Sequence, residues 1–396
     1  MRIEKQRDLI REIFALESQD ATTMADSVGR IPASHYTCDE HAERERSAWF
    51  LGQPSLAGLG VEIPNPGDYL SYEVGGLPIL VVRAPDGSVR AYENICRHRA
   101  APLARGCGHA GRILTCPFHG WSYDTRDGSL VAQPKSRGGF ESLDRATLGL
   151  QPLAAVEHHG LVFVDPRRSR AGLGIDVDAW LAGLADDFES FDYAGFFPFE
   201  SRSDDLECNW KLLLDTFFES YHVFSLHRES LSAAYPGIAS PARGFGPHNR
   251  IIVPMASIKG LESQPTGNWE LLPHAVAQYF VAPNVIFSHF EPLLTLTRFT
   301  PLATNRTRVM QAFFTHFPVT SEAQREDCAG RFAFAHQIIS SEDYAESELV
   351  HRGLASGRVE HTLIGRNEPG IGLFHAALAR MIGAQDRPEP RVSGRA

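Results

Sequence analysis

Two short stretches decide the fold of the first half of this chain: Asn94-Ile95-Cys96-Arg97-His98-Arg99 and Thr115-Cys116-Pro117-Phe118-His119-Gly120-Trp121. They contain the pattern Cys-x-His, seventeen intervening residues, and then Cys-x-x-His. Each stretch is predicted to form a tight loop between strands. Two thiolates and two imidazoles on two such loops can hold one metal centre. The alternative is a zinc site with two Cys and two His ligands, but such sites usually have wider gaps and a pair of His on a helix.

Length and composition limit what kind of protein this is. With 396 residues, of which 43% are hydrophobic and 22% charged, the chain is expected to form two globular domains or one domain with a large insertion. Its formal net charge of −10 argues against nucleic acid or an anionic membrane as a partner. No apolar run has the length of a membrane span, and the residues after Met1 lack the apolar core of a signal peptide.

The cysteine content indicates the cellular compartment. Six cysteines in a chain of this length do not amount to a disulfide framework. Outside the two loops the cysteines are scattered and are predicted to be reduced thiols: Cys38, Cys107, Cys208 and Cys328. Cys107 lies between the loops but has no His at ligand spacing, so an ordinary loop cysteine is expected there. We therefore expect a cytoplasmic protein.

A β-rich block surrounds the two loops. It follows an N-terminal segment, residues 1–46, whose pattern predicts helices that pack on the second domain. Apolar runs at Leu70–Val74 and Leu77–Ala84 flank a Gly-Gly pair, which is typical of a hairpin, and Leu161–Asp165 is predicted to be the closing strand. Residues 47–165 are therefore expected to be a compact all-β domain.

The pattern changes at residue 166. Long helices are predicted around Trp210–Phe224 and from Ser321 to Leu354. Five strand-like runs lie between them: Arg250–Met255, Ala277–Val281, Val285–His289, Leu293–Thr300 and Arg308–Phe317. Antiparallel strands followed by a long helix predict an α+β domain, residues 166–385. The Pro- and Arg-rich tail, residues 386–396, is predicted to be disordered.

The first of these helices carries a second set of ionisable side chains. Asp215, Glu219 and His222 are spaced i, i+4, i+7, which places them on one helical face. In a segment rich in Leu and Phe such groups require a partner, for example a metal. His227 follows His222 by five residues, so both rings can reach one ion only if the helix ends or loosens between them. Two His and a carboxylate are the ligands of non-haem Fe(II), whereas ordinary core histidines are the alternative.

Together these motifs resemble the α (oxygenase) subunit of Rieske non-haem iron oxygenases, the aromatic ring-hydroxylating and N-demethylating family. The resemblance extends from about residue 45 to 355 and includes Asn-Trp-Lys at 209–211 and Glu-x-x-His-x4-His at 219–227. It implies an all-β Rieske [2Fe–2S] domain and a helix-grip catalytic domain, an antiparallel sheet with a long helix. It also implies that the cluster is held by four residues of the two loops: Cys96, His98, Cys116 and His119.

The resemblance also implies the ligands of a mononuclear iron. His222 and His227 match the two iron histidines of the family. The third ligand in the family is an Asp on a C-terminal helix, and Asp343 is the matching position. Glu342 is the neighbouring competitor for that role, and Glu346 is a weaker one.

Two further residues are assigned by the resemblance alone. Glu219 matches the carboxylate that links an iron histidine to a cluster histidine of the neighbouring subunit, which implies a homotrimer. Asp215 occupies a position where dioxygenases often carry an Asn near the iron, so it is expected to affect the iron's surroundings. Phe118 and Ala100 replace a common Tyr and a common Gly in the cluster loops, and neither change is expected to abolish the cluster.

The implied cofactors are one [2Fe–2S] cluster and one mononuclear Fe(II) per chain, with dioxygen as co-substrate. Electrons from NAD(P)H are expected to arrive through a separate reductase, with or without a ferredoxin, because the chain has no flavin fingerprint and no plant-type cluster motif. A β subunit is a further partner that the family allows.

The substrate is predicted from the aromatic content of the second half. Nine phenylalanines are candidates for an apolar pocket: Phe217, Phe218, Phe224, Phe280, Phe287, Phe290, Phe313, Phe314 and Phe317. The main prediction is hydroxylation of a small apolar aromatic or alicyclic compound, as in aromatic compound catabolism. The first alternative is a monooxygenase that demethylates a quaternary ammonium or N-methyl compound held in an aromatic cage. Glu219 slightly favours this alternative, whereas the Phe-rich, Tyr-poor sequence does not. The second is a Rieske electron carrier without oxygenase activity.

Overall fold

The computed structural model describes residues 1–235 and 239–383, so the predicted disordered tail, residues 386–396, lies outside the described residues. The N-terminal segment contains three helices and one strand: α1 (Ile3–Glu17), β1 (Gly29–Pro32), α2 (Ser34–Thr37) and α3 (Asp39–Arg44). A π-helical turn, Glu45–Phe50, continues α3. No helix in the described part of the chain is long and apolar enough to cross a membrane.

The β-rich block forms a seven-stranded antiparallel sheet and a smaller three-stranded sheet. Its strands are β2 (Ser55–Leu59), β3 (Asp68–Val74), β4 (Leu77–Arg83), β5 (Val89–Glu93), β6 (Cys107–His109), β7 (Ile113–Thr115), β8 (Ser122–Asp124), β9 (Leu130–Ala132), β10 (Pro152–His158) and β11 (Leu161–Asp165). The large sheet has the order β2-β11-β10-β5-β4-β3-β6, and the small one has the order β7-β8-β9. The predicted hairpin β3–β4 and the predicted strand Leu161–Asp165 are both present.

The second half is built around another seven-stranded antiparallel sheet, in the order β12-β18-β17-β16-β15-β14-β13. The strands from here on are β12 (Phe197–Leu206), β13 (Ala242–Phe245), β14 (His248–Pro254), β15 (Ala275–Val281), β16 (Val285–Phe290), β17 (Leu293–Ala303), β18 (Arg306–Thr315) and β19 (His361–Ile364). The helices are α4 (Val177–Leu181), α5 (Ala185–Glu189), α6 (Trp210–Phe217), α7 (Val223–Leu226), α8 (Glu322–Ile339), α9 (Ala345–Ala355) and α10 (Pro369–Met381). This architecture confirms the predicted α+β class.

The predicted single helix around Trp210–Phe224 is wrong. Helix α6 ends at Phe217, and the chain turns before α7 begins at Val223. The turn forms because the carboxylate of Glu219 accepts the backbone N–H groups of Tyr221 and His222, as an N-cap residue does, in place of helical carbonyls. Asp215, Glu219 and His222 therefore do not share one helical face.

The predicted C-terminal helix from Ser321 to Leu354 is present as one continuous helical stretch with a wider turn inside it. Ser321 caps α8, since its hydroxyl accepts the N–H of Gln324 at 3.2 Å. Between α8 and α9 the residues Ser340–Tyr344 are π-helical. The hydroxyl of Ser340 donates to the carbonyl of His336 at 2.7 Å, a bond that loosens a helix by competing with the backbone ladder.

Elements near both ends of the described chain pack in the second half of the molecule. Strand β1 pairs with β19, with Ile31 opposite Thr362. In α1, the side-chain oxygen of Gln6 accepts the N–H of Leu271 at 2.8 Å, and the apolar face of the helix is buried in the same core as β15 and β16. The β-rich block thus lies in the sequence between two parts of one structural unit.

Candidate active site

Two loops with the same backbone geometry present the four predicted cluster ligands. One loop joins β5 to β6 and the other joins β7 to β8. Each closes on itself through a bond from the fifth residue to the first, Ala100 N–H to the Cys96 carbonyl at 2.9 Å and Gly120 N–H to the Cys116 carbonyl at 3.0 Å. Both donors need positive φ, 61° at Ala100 and 71° at Gly120, a conformation that favours glycine. The Ala in the first loop therefore adopts a backbone that the family's common Gly would adopt without strain.

The side chains of these loops form two pairs. The thiols of Cys96 and Cys116 are buried, each only 2% exposed, and they lie in contact with each other. The rings of His98 and His119 meet edge to face, with centroids 4.4 Å apart, nearer the surface. Burial and the neighbouring thiol of Cys96 raise the pKa of Cys116, so a thiolate pair here needs a cation.

The surroundings of His98 fit a metal ligand. The ring stacks on Trp121 with centroids 4.8 Å apart and an interplanar angle of 10°, which fixes its plane. Its Nδ1 is buried and has no hydrogen-bond partner among the described residues. A buried, unpaired ring nitrogen next to a second imidazole and two thiols matches the donor set of a Rieske cluster.

His222, His227 and Asp343 converge in the second half, and their ligand atoms all lie within 4.8 Å of one another. Nε2 of His222 lies 3.4 Å from Oδ1 of Asp343, and Nε2 of His227 lies 3.4 Å from Oδ2. His222 and His227 flank the short helix α7, His222 immediately before it and His227 immediately after it, and their ring centroids are 5.1 Å apart. Two imidazoles and one carboxylate at these separations could hold one Fe(II).

The other nitrogen of each ring is held by a second carboxylate. Nδ1 of His222 lies 2.5 Å from Glu219, and Nδ1 of His227 lies 2.5 Å from Glu342. Glu342 also accepts a bond from the Ser230 hydroxyl at 2.8 Å. A carboxylate on Nδ1 fixes the tautomer and leaves Nε2 free to bind a metal. Burial alone would lower the pKa of His227, but its contacts with Asp343 and Glu342 outweigh burial and raise it.

The three carboxylates that were candidates for the third iron ligand occupy different positions in the structure. Asp343 faces both Nε2 atoms, whereas Glu342 lies behind His227 on the opposite side of the ring. Glu346 has no contact with either histidine among the described residues. The role of Glu342 as a hydrogen-bond partner was missed in the sequence, although its position beside Asp343 was noticed.

Asp215 lies away from this cluster. Its two carboxylate oxygens accept bonds from the Tyr36 hydroxyl at 2.9 Å and from Nε2 of His375 at 2.9 Å. Tyr36 and His375 are both buried, and they come from α2 and α10. The residue expected near the iron thus ties the two ends of the chain to the helix that precedes His222.

A cavity of about 350 Å³ opens beside the three converging residues. Of the nine predicted phenylalanines, three line it: Phe217, Phe290 and Phe313. The other six candidates do not line it: Phe218, Phe280, Phe287 and Phe314 are core residues, Phe317 packs against the apolar cluster around Phe332 of α8, and Phe224 is exposed on the surface. The volume suits a small organic molecule.

Uncharged polar side chains form much of the sheet wall of this cavity, and sequence reasoning missed them. They come from four adjacent strands: Gln278, Ser288, Thr295, Thr297 and Gln311. The signal for them was present, because they are polar residues at inward-facing positions of otherwise apolar strands. What the sequence lacks is the register that places them side by side.

The chain matches two family models, described as "Rieske [2Fe-2S] domain" over residues 57–148 and "Ring hydroxylating alpha subunit (catalytic domain)" over residues 192–384. Among curated proteins it is 27% identical over 358 residues to a chloroplastic choline monooxygenase of Spinacia oleracea, covering 89% of this chain and 78% of that protein. It is 28% identical over 212 residues to a carnitine monooxygenase oxygenase subunit of Acinetobacter pittii, covering 53% of this chain and 55% of that protein.

Solved structures show the same fold. The quaternary ammonium Rieske monooxygenase CntA in complex with L-carnitine superposes with a TM-score of 0.74 at 21% identity, covering 91% of this chain and 96% of that chain. A mutant of naphthalene 1,2-dioxygenase bound to phenanthrene gives a TM-score of 0.72 at 18% identity, covering 90% and 93%.

Proposed function

This chain belongs to the Rieske non-haem iron oxygenases as an α (oxygenase) subunit with a [2Fe–2S] cluster and a mononuclear iron, and from this premise we propose that it is a monooxygenase of quaternary ammonium or N-methyl compounds. One observation carries the proposal. It is the similarity to choline monooxygenase, which spans 89% of the chain. The cavity beside His222, His227 and Asp343, which combines aromatic rings with polar groups, agrees with it. The aromatic or alicyclic substrate of the main sequence prediction fits a polar wall less well than the alternative does.

We propose that the four loop residues hold the cluster. Cys96 and Cys116 would bind the buried iron, and His98 and His119 the iron nearer the surface. The support for this division is the pairing of the two thiols and of the two rings described above. His119 is exposed and is therefore available to an electron donor or to another subunit.

The mononuclear iron is assigned to His222, His227 and Asp343. When bound there, it supplies the activation of dioxygen. The protein's own contribution is to hold the ligands: Glu219 and Glu342 keep the protons on the two Nδ1 atoms, so that both Nε2 atoms present lone pairs to one point. Apolar cavity residues such as Phe217 and Phe313 limit the access of water to that point.

Glu219 is proposed to connect the two metal sites between subunits. It would hydrogen-bond His222 of its own chain and His119 of the partner subunit, in a homotrimer. Exposed aromatic rings flank it, since Tyr221 is 51% and Phe224 is 60% exposed with ring centroids 5.8 Å apart. Exposed rings beside a half-buried ion pair favour a protein interface there. A reductase, with or without a ferredoxin or a β subunit, would complete the system.

The cavity suits a cation with methyl groups. Five aromatic side chains line it and can face a quaternary nitrogen: Phe217, Tyr235, Phe290, Phe313 and Phe334. The carboxylates of Glu219 and Asp343 line the metal end of the cavity, and Glu291 lines it elsewhere. Among the described residues, the one arginine in the lining, Arg331, is paired with Asp327 at 2.9 Å. The local field therefore favours a positively charged group.

Dioxygen uptake with a surrogate reductase tests the proposal. Choline, glycine betaine and L-carnitine are each supplied in parallel with naphthalene, and the products are identified by mass spectrometry. We expect substrate-dependent uptake with at least one of the three ammonium compounds, and none in the Asp343→Ala variant. Turnover of naphthalene alone would refute the proposed substrate class. If none of the compounds stimulates dioxygen uptake, whatever the iron loading, the electron-carrier alternative is favoured.

A further inference from the structure

The polar wall of the cavity consists of two neighbouring rows across the sheet. Gln278 on β15 stands opposite Ser288 on β16, and Ser288 stands opposite Thr295 on β17. In the next row Thr297 on β17 stands opposite Gln311 on β18. Gln311 is only 2% exposed, so its amide is shielded from bulk water and faces the cavity interior. A buried amide without its full set of hydrogen bonds destabilises the fold, so a function for the amide is expected.

The orientation of the Gln311 amide is set by His336 on α8. Nδ1 of His336 lies 2.7 Å from the amide oxygen of Gln311. On the other side of the ring, Nε2 lies 3.3 Å from the hydroxyl of Ser340 and 3.5 Å from Oδ2 of Asp204. With the ring proton on Nδ1, His336 donates to the Gln311 oxygen, and Nε2 is left as an acceptor that faces the Ser340 hydroxyl. Because the Gln311 oxygen is used as an acceptor, its NH2 group is left to donate, and no described residue accepts from it.

The separation of His336 and Asp343 along the helix suits a short molecule between them. His336 and Asp343 are seven residues apart in one helical stretch and both line the cavity. At 1.5 Å per residue they are separated by about 10 Å along the helix axis. A compound with a methyl group beside Asp343 and an oxygen a few bonds away would place that oxygen near Gln311.

We propose that Gln311 is the residue that recognises the oxygen-bearing end of the substrate, a hydroxyl or a carboxylate, by donating a hydrogen bond from its amide. His336, backed by Asp204 and Ser340, is a positioning residue that holds the amide in the donating orientation. This inference rests on the proposed function and narrows it: the substrate is an N-methyl compound that carries a hydrogen-bond-accepting oxygen. Quaternary ammonium ions without such an oxygen bind without this contact.

Calorimetric binding to the iron-replete enzyme under dinitrogen tests this. Three probes are compared: glycine betaine, which carries a carboxylate, choline, which carries a hydroxyl, and tetramethylammonium, which carries neither. In Gln311→Met we expect the affinity for whichever oxygen-bearing probe the wild type prefers to fall about tenfold, with tetramethylammonium binding unchanged. Gln311→Glu keeps an acceptor for His336 but has no donor, so it should also weaken binding of that oxygen-bearing probe, while its added negative charge should not weaken binding of tetramethylammonium. Gln337→Met makes the same change on an exposed position of α8 outside the cavity and should bind all three probes like the wild type.

The outcomes separate the inference from the proposed function. Equal weakening of all three probes in Gln311→Met, or no weakening at all, would overturn the role of Gln311 while leaving the ammonium substrate class in place. Wild-type affinity in Gln311→Glu would show that only the acceptor for His336 matters, which also overturns the role. If the wild type binds none of the probes, the proposed function fails and this inference fails with it. The probe with the larger loss identifies the recognised group as hydroxyl or carboxylate.

Discussion

Glu219 holds Nδ1 of His222 at 2.5 Å with one carboxylate oxygen, while its other oxygen accepts the N–H of the same residue at 3.1 Å. One side chain therefore both ends the helix before His222 and orients the ring of His222. Glu342 holds His227 in the corresponding way at 2.5 Å but contributes nothing to the backbone of that turn. The two carboxylates provide a matched pair for experiments.

Glu219→Gln is expected to keep both metal sites and to slow the transfer of electrons between them. The amide keeps a hydrogen-bond acceptor for the turn but removes the charge beside His222. Stopped-flow spectroscopy of the pre-reduced enzyme with substrate and dioxygen should show cluster reoxidation slowed by orders of magnitude. Glu342→Gln is the control and should slow it far less, because its partner His227 is almost fully buried. A wild-type rate in Glu219→Gln would remove Glu219 from the connection.

Asp343→Ala is expected to lose the mononuclear iron and keep the cluster. Iron analysis should fall from about three atoms per chain to about two, with an unchanged visible spectrum. Glu342→Ala removes only the partner of His227 Nδ1, so we expect metal affinity to weaken by roughly 10- to 100-fold with activity restored by added Fe(II). Glu346→Ala should behave like the wild type. Complete and irreversible iron loss in Glu342→Ala alone would reassign the third ligand.

Cys116→Ser is expected to abolish the red-brown colour of the cluster. The serine hydroxyl is a poor ligand for this iron, and the two loops lose the centre that both of them bind. Cys107→Ser changes an exposed cysteine of the same domain and should leave the spectrum intact. A cluster spectrum of full intensity in Cys116→Ser would contradict the assignment.

Asp215→Ala tests whether Asp215 affects the iron, as expected from the sequence, or stabilises the fold through Tyr36 and His375, as its contacts indicate. It leaves the hydroxyl of Tyr36 and the ring of His375 without their shared partner in a buried site. We expect a loss of about 2–4 kcal/mol in the free energy of unfolding, measured with denaturant, and normal iron content. Loss of iron with unchanged stability would instead place Asp215 in the surroundings of the iron.

Acid should weaken the fold through Glu45. Burial alone would raise the pKa of Glu45, but Lys211 and His41 outweigh burial and lower that pKa to about 2. Because the folded-state pKa lies below the ordinary value of 4.5, the ionised carboxylate stabilises the protein above pH 4.5, and this contribution is lost as the pH falls toward 2. Between pH 4.5 and pH 2 the free energy of unfolding should fall less in Glu45→Gln than in the wild type. The difference between the two proteins should be about 3 kcal/mol at most. An identical pH dependence in the variant would exclude Glu45 as the cause.

The sequence predicted what is local in the chain. The cluster loops could be recognised because the ligands of each pair lie within four residues of one another and the loops are tight. The break between α6 and α7, before His222, was not predicted, because it depends on Glu219 capping the next turn rather than continuing the helix. The wall of Gln278, Thr297 and Gln311 could not be predicted, since strand register brings together residues that are distant in sequence. The same limit explains why the sequence could not tell which of the nine candidate phenylalanines line the cavity.

The pairing of β1 with β19 has a consequence for the order in which the protein is made. Strand β1 is synthesised early, and its partner at His361–Ile364 emerges from the ribosome only after nearly the whole described chain. The β-rich block, whose strands pair with one another, can fold during synthesis, whereas the catalytic half has to wait for its last strand and for α10. Ribosome-stalled chains that end before residue 361 should therefore acquire a protease-resistant cluster domain while the remainder stays sensitive to cleavage.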